Sequence, residues 1–185
     1  MWYDSVMART VSINRAPVMT LWAAVVAERL GYDPDEALTI GKAVAGLNAQ
    51  SKGRRLGIFE ERAEPEKLER PRKRPSGERA VVPMLGRPVS AVHTERGLRA
   101  TADDRPIDPE GVRRYLEQKF GADLGAAREA MAALAASFEP RVLAARAYSL
   151  YVKFRPAIPE GTKGWGAAGE LDLGLIESLA LKESS

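Results

Sequence analysis

Any chemistry done by this chain has to be built without the commonest tools. Its 185 residues include no cysteine and one histidine. That removes thiolate nucleophiles, disulfide frames, cysteine-based zinc sites and multi-histidine metal sites together. His93 is the sole imidazole, and it acts as a general base only if the fold brings it a partner, because no nucleophile or carboxylate stands at a telling spacing from it. The expectation is a structural histidine, hydrogen-bonded near a turn. Asp103-Asp104 and Glu60-Glu61 are the candidate carboxylate pairs. Adjacent acids in a turn or a charged run are solvated, and nothing near them in sequence supplies the burial that shifts a carboxyl pKa. No catalytic residue, metal ligand or cofactor is assigned from these patterns.

Gly164-Trp165-Gly166-Ala167-Ala168-Gly169 is a literal G-x-G-x-x-G. In a dinucleotide site that loop leaves a β-strand, opens a helix, and is followed about 20 residues later by an acidic residue that holds the ribose. Here Arg155-Pro156-Ala157-Ile158-Pro159 precedes it, which no central strand tolerates, and 16 residues follow Gly169. The stretch therefore reads as a glycine-rich turn anchored by Trp165, with an exposed Trp165 as the candidate partner contact.

The formal charge is +3. A mildly basic balance is compatible with acidic partners or nucleic acid and common in proteins that touch neither. The candidate nucleic-acid-binding residues are Lys52, Arg54 and Arg55, at the end of an apolar stripe, and the basic knot Arg72, Lys73 and Arg74. Beside the knot stand Glu60, Glu61, Glu64, Glu66 and Glu69, which reduce its field, so a solvated connection is the preferred reading.

The elements that must position these residues are organised around 16–56. Val18, Leu21, Trp22, Val25, Val26 and Leu30 follow the spacing of one helix face. Gly31 suits a left-handed C′ position, and Asp33, Pro34 and Glu36 supply an N-cap, a first-turn proline and a capping box for a second helix. That helix buries Ala37, Ile40, Val44 and Leu47. Gly41 and Gly46 cost it about 1 kcal/mol each against Ala, and close approach of the first helix over Gly41 is the expected offset. The corner resembles a helix-turn-helix over Val26 to Ala45, but Asp33, Asp35 and Glu36 at the exposed start of the second helix oppose major-groove reading.

Farther along, Thr10 to Ile13 alternates as a short strand. Val81–Leu85, Val89–His93 and Leu98–Thr101 read as a small hairpin or three-stranded patch, with Glu95-Arg96-Gly97 as a turn. Helices are expected from Asp108-Pro109 to Phe120, Leu124 to Phe138, Pro140 to Phe154 and Glu170 to Leu181, and no run approaches the length of a membrane span. Ala16 to Ala27 has the look of a signal peptide's apolar core, but its periodicity continues to Leu30 and marks a structural helix.

The fold expected is therefore mainly α: a helix pair with a tight corner in an N-terminal unit at 1–60, a charged proline-containing linker at 61–79, and a small β-hairpin element with a three- to four-helix body at 80–185. Sixty residues bury too little surface to stand alone, so the helix pair either packs on the rest or joins another copy in a homodimer. The function expected is a non-catalytic interaction or regulatory protein in the cytoplasm, with a protein partner and no membrane. Nucleic-acid binding is the alternative, and an enzyme of unrecognised class the third.

Overall fold

The computed structural model describes residues 9–55, 77–157 and 168–184, with residues 49–55 and 183–184 described by their backbone. Strand β1 (Thr10–Ile13) leads into helices α1 (Arg15–Arg29) and α2 (Pro34–Arg55). Strands β2 (Arg79–Met84), β3 (Arg87–Thr94), β4 (Gly97–Ala102) and β5 (Arg105–Pro106) follow. Then come α3 (Pro109–Phe120), a 3-10 turn at Gly121–Asp123, α4 (Leu124–Ala136), α5 (Pro140–Phe154), β6 (Gly169–Asp172) and α6 (Leu173–Ser184).

The corner between α1 and α2 is built as its residues require. Gly31 takes φ +113, Gly31 N–H donates to Glu28 O, and Tyr32 N–H donates to Ala27 O, the paired bonds of a Schellman motif. The capping box is reciprocal: Glu36 N–H donates to Asp33 Oδ1 and Asp33 N–H to Glu36 Oε1. A Cβ on Gly41 would collide with Thr20 O and come within 3.1 Å of Ala24 N, so the helices touch backbone to backbone there. Gly46 has open space around it and owes its presence to no contact.

Helix α1 is more than one wet and one dry face. Every residue from Pro17 to Ala27 is buried, including Thr20, Ala23 and Ala24. A helix enclosed on all sides is the centre of a core: α2 covers one flank, and α3, α4 and α5 cover the others. Trp22 Nε1 donates to Ala147 O of α5 at 3.0 Å, and its ring meets Phe154 edge-on at 5.2 Å. Arg29 donates from Nε and Nη2 to Phe138 O beyond the end of α4. The helix pair packs on the later helices.

The expectation of a mainly α chain with a small hairpin is wrong. Strands β2-β3-β4-β5 form a four-stranded antiparallel sheet, and β1 pairs with β6 in a second, two-stranded sheet, so helices and antiparallel strands share the architecture as in α+β folds. The prolines of the hairpin mislead. Pro83 and Pro88 look like breakers, yet they face each other in the register; they sit one pair beyond a two-residue hairpin loop, where antiparallel partners exchange no hydrogen bonds and need no N–H. Asp103-Asp104 is the exposed turn expected, and both residues take positive φ, +52 and +67, to reverse the chain into β5. Leu85 at φ +50 and Gly86 at φ +78 do the same between β2 and β3. The C-terminal helix begins at Leu173, because Gly169–Asp172 is spent on pairing with Thr10–Ile13.

Strand β4 is finished by a helix. Its outward N–H groups at Leu98 and Ala100 donate to Glu36 Oε2 and Thr39 Oγ1 of α2 at 3.0 Å each. Glu36 thereby caps its own helix with one oxygen and closes a sheet edge with the other.

Candidate functional site

Most candidate residues from the sequence fall outside what the structure describes. Arg72, Lys73, Arg74 and Trp165 lie outside the described residues, as do Glu60-Glu61 and Gly164 to Ala167. Lys52, Arg54 and Arg55 lie on the last turns of α2, with their backbone alone described. Gly169, the last glycine of the G-x-G-x-x-G, is a strand residue whose missing Cβ makes room for Ala157 O, a packing role and not a phosphate cradle.

His93 is exposed near the end of β3. An open concavity of about 620 Å³ at the β3–β4 turn is lined by Gly77, His93, Thr94, Glu95 and Arg96. The hydrogen bonds near this turn come from other groups than the imidazole: His93 N–H donates to Glu78 O, and Thr94 Oγ1 donates to Gly97 O while accepting from Arg96 N–H. A second concavity, about 260 Å³, is lined by Glu28, Pro34, Leu38, Arg113, Leu116, Leu124 and Arg128. Its charges answer one another: Arg128 pairs with Glu28 at 3.2 Å, and Arg113 bridges Asp35 and Glu110. Bonding to Asp35 is the main reason the Arg113 guanidinium holds its proton more tightly than usual. Among the described residues no group of three His, Asp or Glu side chains is arranged to hold a metal ion.

Two clusters of arginine are less fully answered. The first lies on the sheet. Val82, Met84, Val89, Ala91, Leu98 and Ala100 face α2 and join the core, so alternation turns Arg79, Val81, Val92, Arg99 and Thr101 to the other face. Val81 is 53% exposed there. Arg79 pairs with Val92, and Val92 with Arg99, which lines the three up across adjacent strands with the arginine Cα atoms about 10 Å apart. Arg99 is 7% exposed, and its guanidinium donates from Nη1 to Leu98 O, with no carboxylate of the described residues in ion-pair range. The acid beside it is Glu36, whose two oxygens already accept from Asp33 and Leu98 N–H. A Cβ on Gly97 would press on Glu36 Oε2 at 2.9 Å and sit 3.5 Å from Arg99 Nη1, so glycine is what admits both. Arg79 Nη2 pairs with Asp104 Oδ1 at 2.6 Å, while its Nε is buried without a partner among the described residues.

The second cluster is where α1 begins and α5 ends. Arg15 Nε donates to Pro156 O at 2.7 Å, and the Arg155 guanidinium lies 5.9 Å from the centre of the Tyr151 ring. Tyr151 is fully buried, and among the described residues its hydroxyl has no hydrogen-bond partner. Burial pushes the Tyr151 hydroxyl far above the usual phenol range, against the pull of Arg15 and Arg155. Burial, and then repulsion from Arg155, weakens the hold of Arg15 on its proton.

No sequence signal marks either cluster. Arg99 is an arginine in a strand, and Arg15 and Arg155 stand 140 positions apart. No protein-family model, curated protein or solved structure matches the chain.

Proposed function

We propose that this chain works by binding and not by catalysis, as an interaction or regulatory protein that offers the outer face of its four-stranded sheet to an acidic polypeptide. The observation that carries this reading is Arg99, 7% exposed and hydrogen-bonded to one backbone carbonyl. The Glu36 carboxylate beside it already accepts from Asp33 and Leu98 N–H, so the guanidinium is only partly answered, and burying a charge is costly. An arriving carboxylate, accepting two parallel N–H bonds from the planar fork, recovers much of that cost. Arg79, in the same row, adds a second donor at its unpartnered Nε. The face carries Arg79, Val81, Pro83, Pro88, Ser90, Val92, Arg99 and Thr101 and no aromatic residue, so it lacks the stacking platforms that hold unpaired bases.

The test is a fluorescence titration with a labelled peptide rich in Asp and Glu, at two salt concentrations. Binding should weaken with salt and fall at least tenfold in Arg99→Met. Equal affinity in Arg99→Met refutes the reading. A second reading, nucleic-acid binding through Lys52, Arg54, Arg55, Arg72, Lys73 and Arg74, is favoured by the continuation of α2 as a helix to Arg55. Its signature is duplex binding that is lost when these six become Ala and untouched by Arg99→Met.

A cytoplasmic location belongs to the same proposal. Its support is that Val18, Leu21 and Trp22, in the stretch resembling a leader, are wholly buried in the core. Among the described residues no helix is long and apolar enough to cross a membrane.

A further inference from the structure

We infer that the acidic polypeptide is taken up as an extra strand, pairing antiparallel with the open edge of β2 across Val81, which rests on the reading of the sheet's outer face as the binding surface and says how the partner is held. The hydrogen-bond pattern leaves β2 with that edge free. Its hairpin with β3 closes on Met84 and Arg87, and the register continues with Val82 opposite Val89 and Ala80 opposite Ala91. Alternate pairs of an antiparallel ladder exchange both bonds, so Met84, Val82 and Ala80 spend their N–H and C=O groups on β3. His93 N–H donating to Glu78 O continues the same phase. The backbone groups of Arg79, Val81 and Pro83 therefore point away from β3. On that side β2 is the last strand of its sheet, and among the described residues nothing bonds to the Val81 N–H or C=O.

The far side of the sheet is closed. Leu98 and Ala100 N–H on β4 donate to Glu36 and Thr39 of α2, and Ile107 N–H donates to Ala100 O. Along β2, by contrast, Val81 is 53% exposed and Pro83 is exposed as well. A bare edge is a template for another strand, and proline or charge placed on it restricts the pairing. Pro83 withholds one N–H at one end. That sets the register: Val81 is the residue that can exchange both bonds with a partner residue, while Pro83 accepts through its carbonyl alone.

The side chains state the partner's chemistry. Residues of an added strand opposite Arg79, Val81 and Pro83 all lie on the outer face. A β-branched apolar residue suits the place across from Val81, and an acid two positions along suits the place across from Arg79. A second copy of β2 fails this requirement, because Arg79–Met84 contains a cation and no acid, and the same antiparallel register sets Pro83 across from Arg79. The polypeptide beyond the added strand then crosses the face to Arg99, whose guanidinium is bonded to Leu98 O. Main-chain bonds along an edge supply affinity and the alternate side chains supply selectivity, the division found wherever a peptide augments a sheet.

The experiment is amide hydrogen exchange by NMR on the whole chain, with and without a saturating labelled peptide in which each Val is followed two places on by Glu, and a fluorescence titration alongside. The expected result is exchange at Val81 N–H slowed at least tenfold by the peptide, with Val82 N–H protected in both states. Val81→Pro removes the outward amide and no bond to β3, and Pro83 shows that β2 admits proline at such a position; it should weaken the peptide about tenfold, while Val81→Thr, which keeps the amide, should bind like the parent. Peptide bound without protection at Val81, or equal affinity in Val81→Pro, overturns the strand pairing, and Arg99→Met still losing the peptide then leaves the sheet-face reading standing. No peptide bound by the parent chain overturns both. Protection of Val81 before peptide is added, in a dimer that Val81→Pro converts to a monomer, assigns the edge to a second copy and overturns the inference. Should Val81→Pro fail to fold, exchange at Val81 in the parent chain decides.

Discussion

Alanine substitution at two glycines of one helix should have opposite effects. Gly41 and Gly46 both lie in α2, and helix propensity alone favours Ala over Gly by about 1 kcal/mol at either. At Gly46 nothing stands within 4 Å of the new methyl, so Gly46→Ala should realise that gain, and for a chain of this length about 1 kcal/mol raises Tm by roughly 2–4 °C. At Gly41 the methyl meets Thr20 O, Thr20 C at 3.3 Å and Ala24 N at 3.1 Å. These are backbone atoms of α1, which no rotamer change can move aside. The helices must part by on the order of 1 Å, loosening contacts along α1, which is buried throughout; overpacking of this kind costs about 1–3 kcal/mol and more where backbone must shift. With the propensity gain subtracted, Gly41→Ala should lose about 2 kcal/mol and melt roughly 4–8 °C lower. Thermal unfolding followed at 222 nm, with urea titrations as a second measure, decides the matter. If Gly41→Ala melts higher than the parent, the two helices do not touch there and the account of the corner fails.

Four further outcomes can be checked. Glu36→Ala strips Asp33 N–H and Leu98 N–H of their acceptor, so urea unfolding should show a loss of about 2–4 kcal/mol, the sum of a capping contribution and one unsatisfied amide; a loss near zero would mean Leu98 N–H is otherwise satisfied. Trp22→Phe removes the bond to Ala147 O and leaves a small void in the core, for a cost of about 1–3 kcal/mol by the same assay, and an unchanged midpoint would contradict the packing. In a spectrophotometric titration at 295 nm, Tyr115 and Tyr151, whose hydroxyls burial pushes upward, should ionise later than exposed tyrosines. Their native state binds the proton more tightly than the unfolded chain, so this contribution to stability is complete below about pH 10 and is lost as pH rises through the native values; five tyrosines titrating together while the fold persists would exclude it. Finally, we propose a homodimer in solution, with twice the chain mass by light scattering; a strictly monomeric mass at high concentration removes it.

How much of this was legible beforehand depends on how far apart the partners lie. The corner at Gly31, the box at Asp33 and Glu36, the cap at Asp108 and the limits of α5 rest on residues within one or two helical turns of one another, and such signals are complete in a short window. The interhelical contact at Gly41 was legible too, because a glycine inside a helix requires a reason. The four-stranded sheet was half-read: its apolar alternation was visible, but β5 has two residues and Pro83 and Pro88 are harmless only once the hairpin register is known. Residues Gly169–Asp172 look like the start of a helix until Thr10–Ile13 arrives from the other end of the chain to pair with them.

The sites lay beyond reach for the same reason. Lysine and arginine runs announce themselves in a sequence, and those at 52–55 and 72–74 did. What makes Arg99 and Arg15 unusual is no property of their neighbours in the chain; it is that folding buries the Arg99 guanidinium against a backbone carbonyl and ties Arg15 to Pro156 O from far along the sequence. Local sequence determines where hydrogen bonds along one segment begin and end. Which charges lose their water, and which of them find a partner, is decided by three-dimensional packing, because desolvation belongs to the assembled surface and to no single stretch of residues.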